Sequence, residues 1–326
     1  MTSSPVTSVE VIFVEMGGLL TTVQDLGRTG QQRSGMTAAG AMDPAALATA
    51  NLLAGNERGA AALEITLLGP RLRFLVSAQI ALCGGDLSAR LDGEPLPVWK
   101  TAAVQAGQVL SFGRRRSGAR AYLAVAGGFD VPVVAGSRST FLRGKLGGRE
   151  GRALRPGDIL SAIPSVSLSS ADREGRGLPA RAVPAFDLPA VLRVLPGPHL
   201  SHFTEAGSAA FFANTYTLSP QSDRQGYRLT GPAVLRQTSD DILSEPMPVG
   251  GIQVPPDGLP ILLMADCQTT GGYPLLGVVV SADMARAGQL APGDSVRFAP
   301  VSLAEAAAAA INAERRLRLL ELACLY

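Results

Sequence analysis

What most constrains this chain is its punctuation. Short runs rich in Val, Leu and Ile are cut, roughly every eight to twelve residues, by Gly, Pro or Asp-Gly. Such runs are too short for core-building helices, but as strands each can bury one face. The rhythm predicts a mainly β protein, a sandwich or barrel with a few helices. At 326 residues and roughly 150 residues per domain, two domains are expected, each large enough to bury its own core.

Two helices are signalled within this pattern. Asp43 reads as an N-cap, Pro44 as the first helical residue and Gly55 as the residue after the last turn, which predicts a helix over 44–54. Ser302 and Glu305 have the spacing of a capping box. They open an alanine-rich run whose Arg315, Arg316 and Arg318 complement the C-terminal dipole, predicting a helix over 303–320 with an Ala-Leu stripe packed on a barrel.

Residues 163–188 are rich in Ser, Pro, Gly, Arg and Asp without an apolar period, and read as a linker. It separates an N-terminal β domain over 1–162 from a C-terminal β-barrel domain over 189–326. Leu68-Gly69-Pro70 echoes Thr230-Gly231-Pro232, and Asp92-Gly93-Glu94-Pro95 echoes Asp257-Gly258-Leu259-Pro260. The echoes fit a duplicated β module, and equally the commonest turn dipeptides of β proteins.

Several function classes are disfavoured. Lys and Arg total 29 against 27 Asp and Glu, and the basic run Arg114 to Arg116 sits in a Gly-flanked turn, so nucleic acid is a poor partner. No segment approaches the run of about twenty apolar residues that a spanning helix needs. The N-terminus shows neither a charged n-region nor an apolar h-region, so a soluble, cytoplasmic protein is expected. Cys83, Cys267 and Cys324 form no C-x-x-C pair and suit a reducing compartment. His199 and His202 stand three apart, but no cysteine or acidic cluster completes a set of ligands, so no metal is expected. There is no P-loop, nucleophile elbow or H-E-x-x-H pattern, and no Ala/Val-Met-Lys-Met type site for biotin attachment.

The densest polar stretch is Ala265-Asp266-Cys267-Gln268-Thr269-Thr270-Gly271-Gly272-Tyr273-Pro274, which follows the apolar strand Ile261 to Met264. Hydroxyls, an amide and two glycines can converge donors on a carboxylate, phosphate or oxyanion, because glycine permits close approach; a Gly-Gly hairpin turn has the same composition. A second cluster, Ser219-Pro220-Gln221-Ser222-Asp223-Arg224-Gln225-Gly226-Tyr227-Arg228, sets two guanidiniums and a carboxylate around a turn, suited to an anion or simply to solvent. Glu245 and Gln253 lie between the clusters, and Glu245 is a candidate base or water-orienting group. In the N-terminal half, Gln24, Asp25 and Arg28 precede the loop Gly35 to Asp43, with Asn51 towards the end of the following helix and Glu64 beyond it.

The order of these motifs resembles the carboxyltransferase family that includes allophanate hydrolase subunit 2 and the C subunit of 5-oxoprolinase. From about Val11 to Phe298 the landmarks are Val23-Gln24-Asp25-Leu26-Gly27-Arg28, Gly40-Ala41-Met42-Asp43, Ala50-Asn51, Leu63-Glu64, Gly136-Ser137-Arg138-Ser139-Thr140, Ser222-Asp223-Arg224, Gly226-Tyr227-Arg228-Leu229, Gln253-Val254-Pro255-Pro256 and Gln268 to Pro274. The resemblance implies a cyclophilin-like β-barrel architecture in two parts, and assembly with a homologous B subunit and a separate A-type subunit into an ATP-dependent 5-oxoprolinase. That enzyme cleaves 5-oxo-L-proline to L-glutamate, with ATP and magnesium shared among the subunits.

In that reading ATP phosphorylates the lactam oxygen, water attacks the activated imidate, and positive and N–H groups stabilise the developing charge. Asp223, Glu245, Gln268, Thr269 and Thr270 would be catalytic. Arg224, Tyr227, Arg228, Gln253, Gly271, Gly272, Tyr273, Gln24, Asp25 and Arg28 would bind substrate. The resemblance also accommodates a biotin-dependent carboxyltransferase of the urea carboxylase type, with biotin carried by another protein, and a non-catalytic regulatory partner of a kinase-inhibitor-like B subunit. The chain departs from the family pattern at Cys267, where arginine is expected, at Gln225, where methionine is common, and at Pro246, where glycine usually follows the glutamate. Cys267 has no histidine near it in sequence to activate it, which suits an inert thiol.

Overall fold

The computed structural model describes residues 7–164, 175–238 and 241–325, so residues 165–174 of the expected linker lie outside the description. The chain divides into two units: Met1–Arg28, Asp43–Ala185 and Leu317–Tyr326 in one, Thr29–Met42 and Phe186–Arg316 in the other. The linear division expected from the sequence keeps 29–42 with the N-terminal domain, whereas here that segment packs with the second unit.

In the first unit the strands are Val9–Met16 (β1), Leu20–Gln24 (β2), Ala62–Thr66 (β3), Arg71–Phe74 (β4), Ala78–Asp86 (β5) and Arg90–Leu91 (β6). Glu94–Pro95 (β7), Lys100–Val104 (β8), Val109–Ser111 (β9), Ser117–Val125 (β10) and Ile159–Ala162 (β11) follow. They form two sheets, ordered β11-β1-β4-β9-β6-β7 and β2-β3-β10-β5-β8. Their shared core includes Ile12, Val23, Leu63, Phe74, Leu82 and Leu123.

The other face of the second sheet lies under helix α1, Pro44–Ala54, as expected from its caps. Asp43 accepts from Ala46 N–H at 2.9 Å, and Gly55 ends the helix in the left-handed region with φ 83°. The helix is Ala- and Leu-rich because Ala46 to Ala54 are all buried. Beneath it Tyr122 Oη accepts from Asp43 N–H and donates to Glu64 Oε2, both at 2.8 Å. Burial, then the charges of Glu64 and Asp43, push the Tyr122 phenol well above its ordinary range.

The second unit is a closed barrel. Its strands are Ala190–Pro196 (β12), Thr215–Leu218 (β13), Gly226–Thr230 (β14), Gly251–Gln253 (β16), Ile261–Leu263 (β17), Leu275–Val279 (β19) and Ser295–Pro300 (β20), while Glu245–Pro246 (β15) and Thr270–Gly271 (β18) form a separate two-stranded ribbon. The barrel order is β12-β19-β16-β17-β14-β13-β20, closed by a parallel β20–β12 pair. Period-2 alternation decides which side chains enter: Tyr227 and Leu229 of β14 point in, Arg228 and Thr230 out. Helix α2 (Glu205–Ala213) packs against β20, and its Phe211 stacks on Phe298 with ring centroids 4.6 Å apart. A further helix, α3 (Ser281–Ala287), follows β19, and the sequence pattern signals neither α2 nor α3.

The last helix, α4, runs Leu303–Leu325 rather than stopping at 320. Its opening is the expected capping box, with Glu305 N–H donating to Ser302 Oγ and Ser302 N–H to Glu305 Oε2. The packing stripe is narrower than the sequence suggests: Ala306 and Ala309 are buried, whereas Leu303, Ile311, Leu319 and Leu322 face outward. Small alanines allow close approach, and the wider leucines fall on the other faces.

Candidate functional site

The polar stretch expected at a strand end does follow β17. After Met264 the chain turns at Asp266, and Thr270–Gly271 pair as β18 with Glu245–Pro246, placing Glu245 opposite Gly271. The ribbon is extended by Met247 N–H donating to Thr269 O and Ile242 N–H to Gly272 O, each at 2.9 Å. A two-residue ribbon is short, but these flanking bonds hold the loop to the 242–247 segment along its length.

An amide pair supports it from below. Gln253 is 2% exposed; its Nε2 donates to Met247 Sδ at 3.3 Å and faces Tyr273 O at 3.5 Å. Gln253 Oε1 therefore accepts from Gln268 Nε2, at 3.2 Å. Because a carbonyl accepts only, Tyr273 O orients Gln253, which in turn leaves the exposed Gln268 presenting its own Oε1 and remaining N–H outward. A Cβ at Gly271 would lie 2.7 Å from Gln253 Nε2, so any larger residue here must displace that amide.

Of the expected residues, Glu245, Gln253, Gln268, Thr269, Thr270, Gly271, Gly272 and Tyr273 thus come together. Thr270 and Tyr273 are exposed, and Glu245 and Thr269 are half-buried. Within the Asp223 to Arg228 cluster, Asp223, Arg224 and Tyr227 make structural contacts of their own. Asp223 Oδ1 accepts from Gln225 N–H and Gly226 N–H at 2.8 and 3.2 Å, which shapes the turn into β14. Arg224, 4% exposed, forms a two-pronged pair with Asp266 and donates to Gly40 O at 2.6 Å. Tyr227 lies in the barrel core, its hydroxyl 3.5 Å from Leu290 O. Arg228 projects outward from β14.

Gln24, Asp25 and Arg28 belong to the first unit and lock two sequence landmarks together. Asp25 accepts from Gly27 N–H, Ser137 Oγ, Ser139 Oγ and Arg138 N–H. Gln24 Nε2 donates to Thr140 O at 3.1 Å, and Arg28 donates to Val134 O and Ser139 O. These motifs are bonded to each other across roughly a hundred residues of chain, a long-range structural role.

Cys267, at the departure from the family pattern, is buried beneath the loop with Met247, Leu263 and Leu275, and its carbonyl accepts from Thr37 Oγ1 at 3.0 Å. Burial first, then the Asp266 charge, push its thiol up to about 11. Gln225 contributes its carbonyl to Met264 N–H, and Pro246 lies opposite Thr270.

One residue of the site has no clear signal in the sequence. His199 accepts from Leu275 N–H on Nδ1 at 3.1 Å, and its Nε2 is 3.5 Å from Glu245 Oε1. In the sequence its spacing to His202, to which its ring is edge-on, raises only a metal-ligand reading that the want of further ligands sets aside. Among the described residues no group of three or more His, Cys, Asp or Glu is placed to hold a metal ion.

A closed barrel with a polar ribbon set on its strand ends, joined in one chain to a two-sheet unit, is the architecture of a carboxyltransferase-type protein. Residues 34–300 match the model of the carboxyltransferase domain, subdomain A and B, and the chain belongs to that family. It is 42% identical over 298 residues to the 5-oxoprolinase C subunit of Escherichia coli, covering 91% of this chain and 94% of that protein. The 5-oxoprolinase C subunit of Haemophilus influenzae is 38% identical over 286 residues, covering 88% and 90%. Among solved structures, the urea amidolyase of K. lactis matches with a TM-score of 0.89 at 31% identity over 98% of this chain, which spans only 20% of that much longer chain.

Proposed function

We propose that this chain is the C subunit of an ATP-dependent 5-oxoprolinase, opening the lactam of 5-oxo-L-proline to L-glutamate together with a homologous B subunit and an A-type subunit. The observation that carries the reading is the ribbon in which Glu245 stands across from Gly271, flanked by Gln268, Thr269 and Thr270. It is supported by correspondence to the two bacterial 5-oxoprolinase C subunits over nearly the whole of both chains. No helix among the described residues is long and apolar enough to cross a membrane, and a cytoplasmic location is part of the proposal.

ATP, with magnesium, is shared with the partner subunits and supplies the activation of the lactam oxygen. On this chain, Gln268 with its amide fixed by Gln253, and the hydroxyls of Thr269 and Thr270, offer polar groups to the ring amide and to charge developing on oxygen. The close approach that Gly271 and Gly272 permit keeps the backbone within reach of the substrate. Tyr273, partly exposed, borders the loop, and Glu245 orients the attacking water. Arg224 and Tyr227 act through the scaffold, since one ties segment 29–42 to the barrel and the other fills its core.

The test is ATP- and 5-oxoproline-dependent glutamate release by the complex reconstituted from all three subunits, beside a Thr269→Ala, Thr270→Ala variant. Loss of roughly 10²-fold or more in a folded variant supports the reading. The match to urea amidolyase favours a second reading, carboxyl transfer: no glutamate from the intact complex, with carboxylation that needs a biotin-carrying protein, would select it. Absence of both activities would leave the regulatory role.

A further inference from the structure

His199 stands at the corner between β12 and a short 3-10 turn, Leu200–His202. That corner is zipped onto the start of β19. Gly197 N–H donates to Leu276 O at 2.9 Å, and Leu275 N–H to His199 Nδ1 at 3.1 Å. Gly197 is needed for this approach, because a Cβ there would meet Leu275 O at 2.5 Å. The imidazole is thereby held by backbone at the very end of the Gln268 to Pro274 loop, with only 14% of its side chain exposed.

The bond to Leu275 has a chemical consequence. A backbone N–H can only donate, so Nδ1 must be the lone-pair nitrogen and a neutral ring carries its hydrogen on Nε2. Nε2 is the atom facing Glu245, 3.5 Å from Oε1, a separation that a small side-chain rotation closes. Glu245 in turn is registered opposite Gly271. One side chain therefore connects the end of the loop to the carboxylate at its middle.

We propose that His199 is a positioning residue of the site: anchored through Nδ1 on Leu275, it directs an Nε2–H at Glu245 and fixes the carboxylate across from Gly271. This rests on the reading that Glu245 orients the attacking water. The hydrogen bond leaves Glu245 its second oxygen for that water. His199 itself touches no reacting atom.

Two measurements test it. Side-chain ¹⁵N spectroscopy of the full chain should show an unprotonated, hydrogen-bonded Nδ1 and a protonated Nε2 for His199; a proton on Nδ1 overturns the proposal without any assay. In the reconstituted complex, His199→Phe should lower kcat roughly 10²-fold with KM little changed, whereas His199→Gln, whose amide N–H can reach Glu245, should retain most of the activity. Equal loss in both variants, or none in the Phe variant while Glu245→Gln is impaired, overturns it and leaves the role of Glu245 standing. Wild-type kcat in Glu245→Gln removes that role and the His199 proposal with it. If the Phe variant fails to fold, the Gln variant and the spectrum decide.

Discussion

Arg224 and Asp266 form a buried, two-pronged ion pair, with Nη2 2.8 Å and Nε 3.1 Å from the two carboxylate oxygens, and the same Nη2 donates to Gly40 O. One guanidinium so ties the turn before the polar loop to segment 29–42. Removing one partner of such a pair leaves a buried charge, at a cost of about 3–5 kcal/mol. Arg224→Met should be destabilised by that amount in urea unfolding, and trypsin should cut earlier at Arg33. An Arg224→Met, Asp266→Leu double variant should recover part of the loss, because no charge is then stranded.

Asp25 provides the parallel case in the first unit. Its carboxylate satisfies Gly27 N–H, Arg138 N–H and the hydroxyls of Ser137 and Ser139. Asp25→Ala leaves several buried donors unmatched, each worth about 1–3 kcal/mol. The variant should lose several kcal/mol of stability by chemical denaturation. If Asp25 only holds the fold, kcat per folded molecule in the reconstituted complex should stay near wild type; a selective fall in kcat would place it in the chemistry instead.

How legible these arrangements are in the sequence depends on how local their causes are. The helix Pro44–Ala54 is readable to the residue because Asp43, Pro44 and Gly55 are its own start and stop signals. The beginning of α4 is readable from Ser302 and Glu305, but its end is not, since no Gly or Pro interrupts the chain before Leu325. Helix α3 has no side-chain cap, and α2 only a lone Thr204 accepting from Gly207 N–H. In the site, Gln268 to Tyr273 shows itself by composition at a strand end. Pairings over distance do not: Arg224 looks like an anion binder until Asp266, 42 residues away, occupies it, and His199 carries no role in the sequence until Leu275 N–H is found on its Nδ1 and Glu245 3.5 Å from its Nε2.

Asp158 gives a pH signature. Its carboxylate accepts from Arg152 Nη1 and Nη2 at 2.7 and 2.8 Å and from Arg155 N–H at 2.8 Å. The hydrogen bond from Arg152 leads in holding its pKa below the ordinary 3.8. A carboxyl depressed by folding contributes stability above its unfolded pKa and loses it as pH falls through the folded value. Asp158→Asn should therefore be less stable than wild type at neutral pH, with the gap closing as unfolding is measured at progressively more acidic pH.

Cys267 should be chemically quiet. With its thiol pushed up to about 11, only ~1 in 10³ molecules carries the thiolate at pH 8. Iodoacetamide should label it far more slowly than a small exposed thiol, with labelling accelerating on unfolding. Cys267→Ala should keep its activity in the reconstituted complex; abolition in a folded variant would make the thiol a participant.

Gly271→Ala separates the geometry of the loop from its presence. The added methyl would sit 2.7 Å from Gln253 Nε2, 3.1 Å from Met247 Cγ and 3.5 Å from Gln268 Nε2. Something must move, and the ends of two side chains yield more readily than paired backbone, so the Gln253–Gln268 bond is the element expected to break. Overpacking of this kind costs about 1–3 kcal/mol, too little to unfold the barrel. Misplacement near 1 Å at reacting groups costs roughly 10² in rate. Gly271→Ala should therefore melt cooperatively, only a few degrees below wild type, yet lose roughly 10²-fold in kcat in the reconstituted complex. A variant that is both folded and fully active would mean that Gln268 and its amide partner lie outside the chemistry.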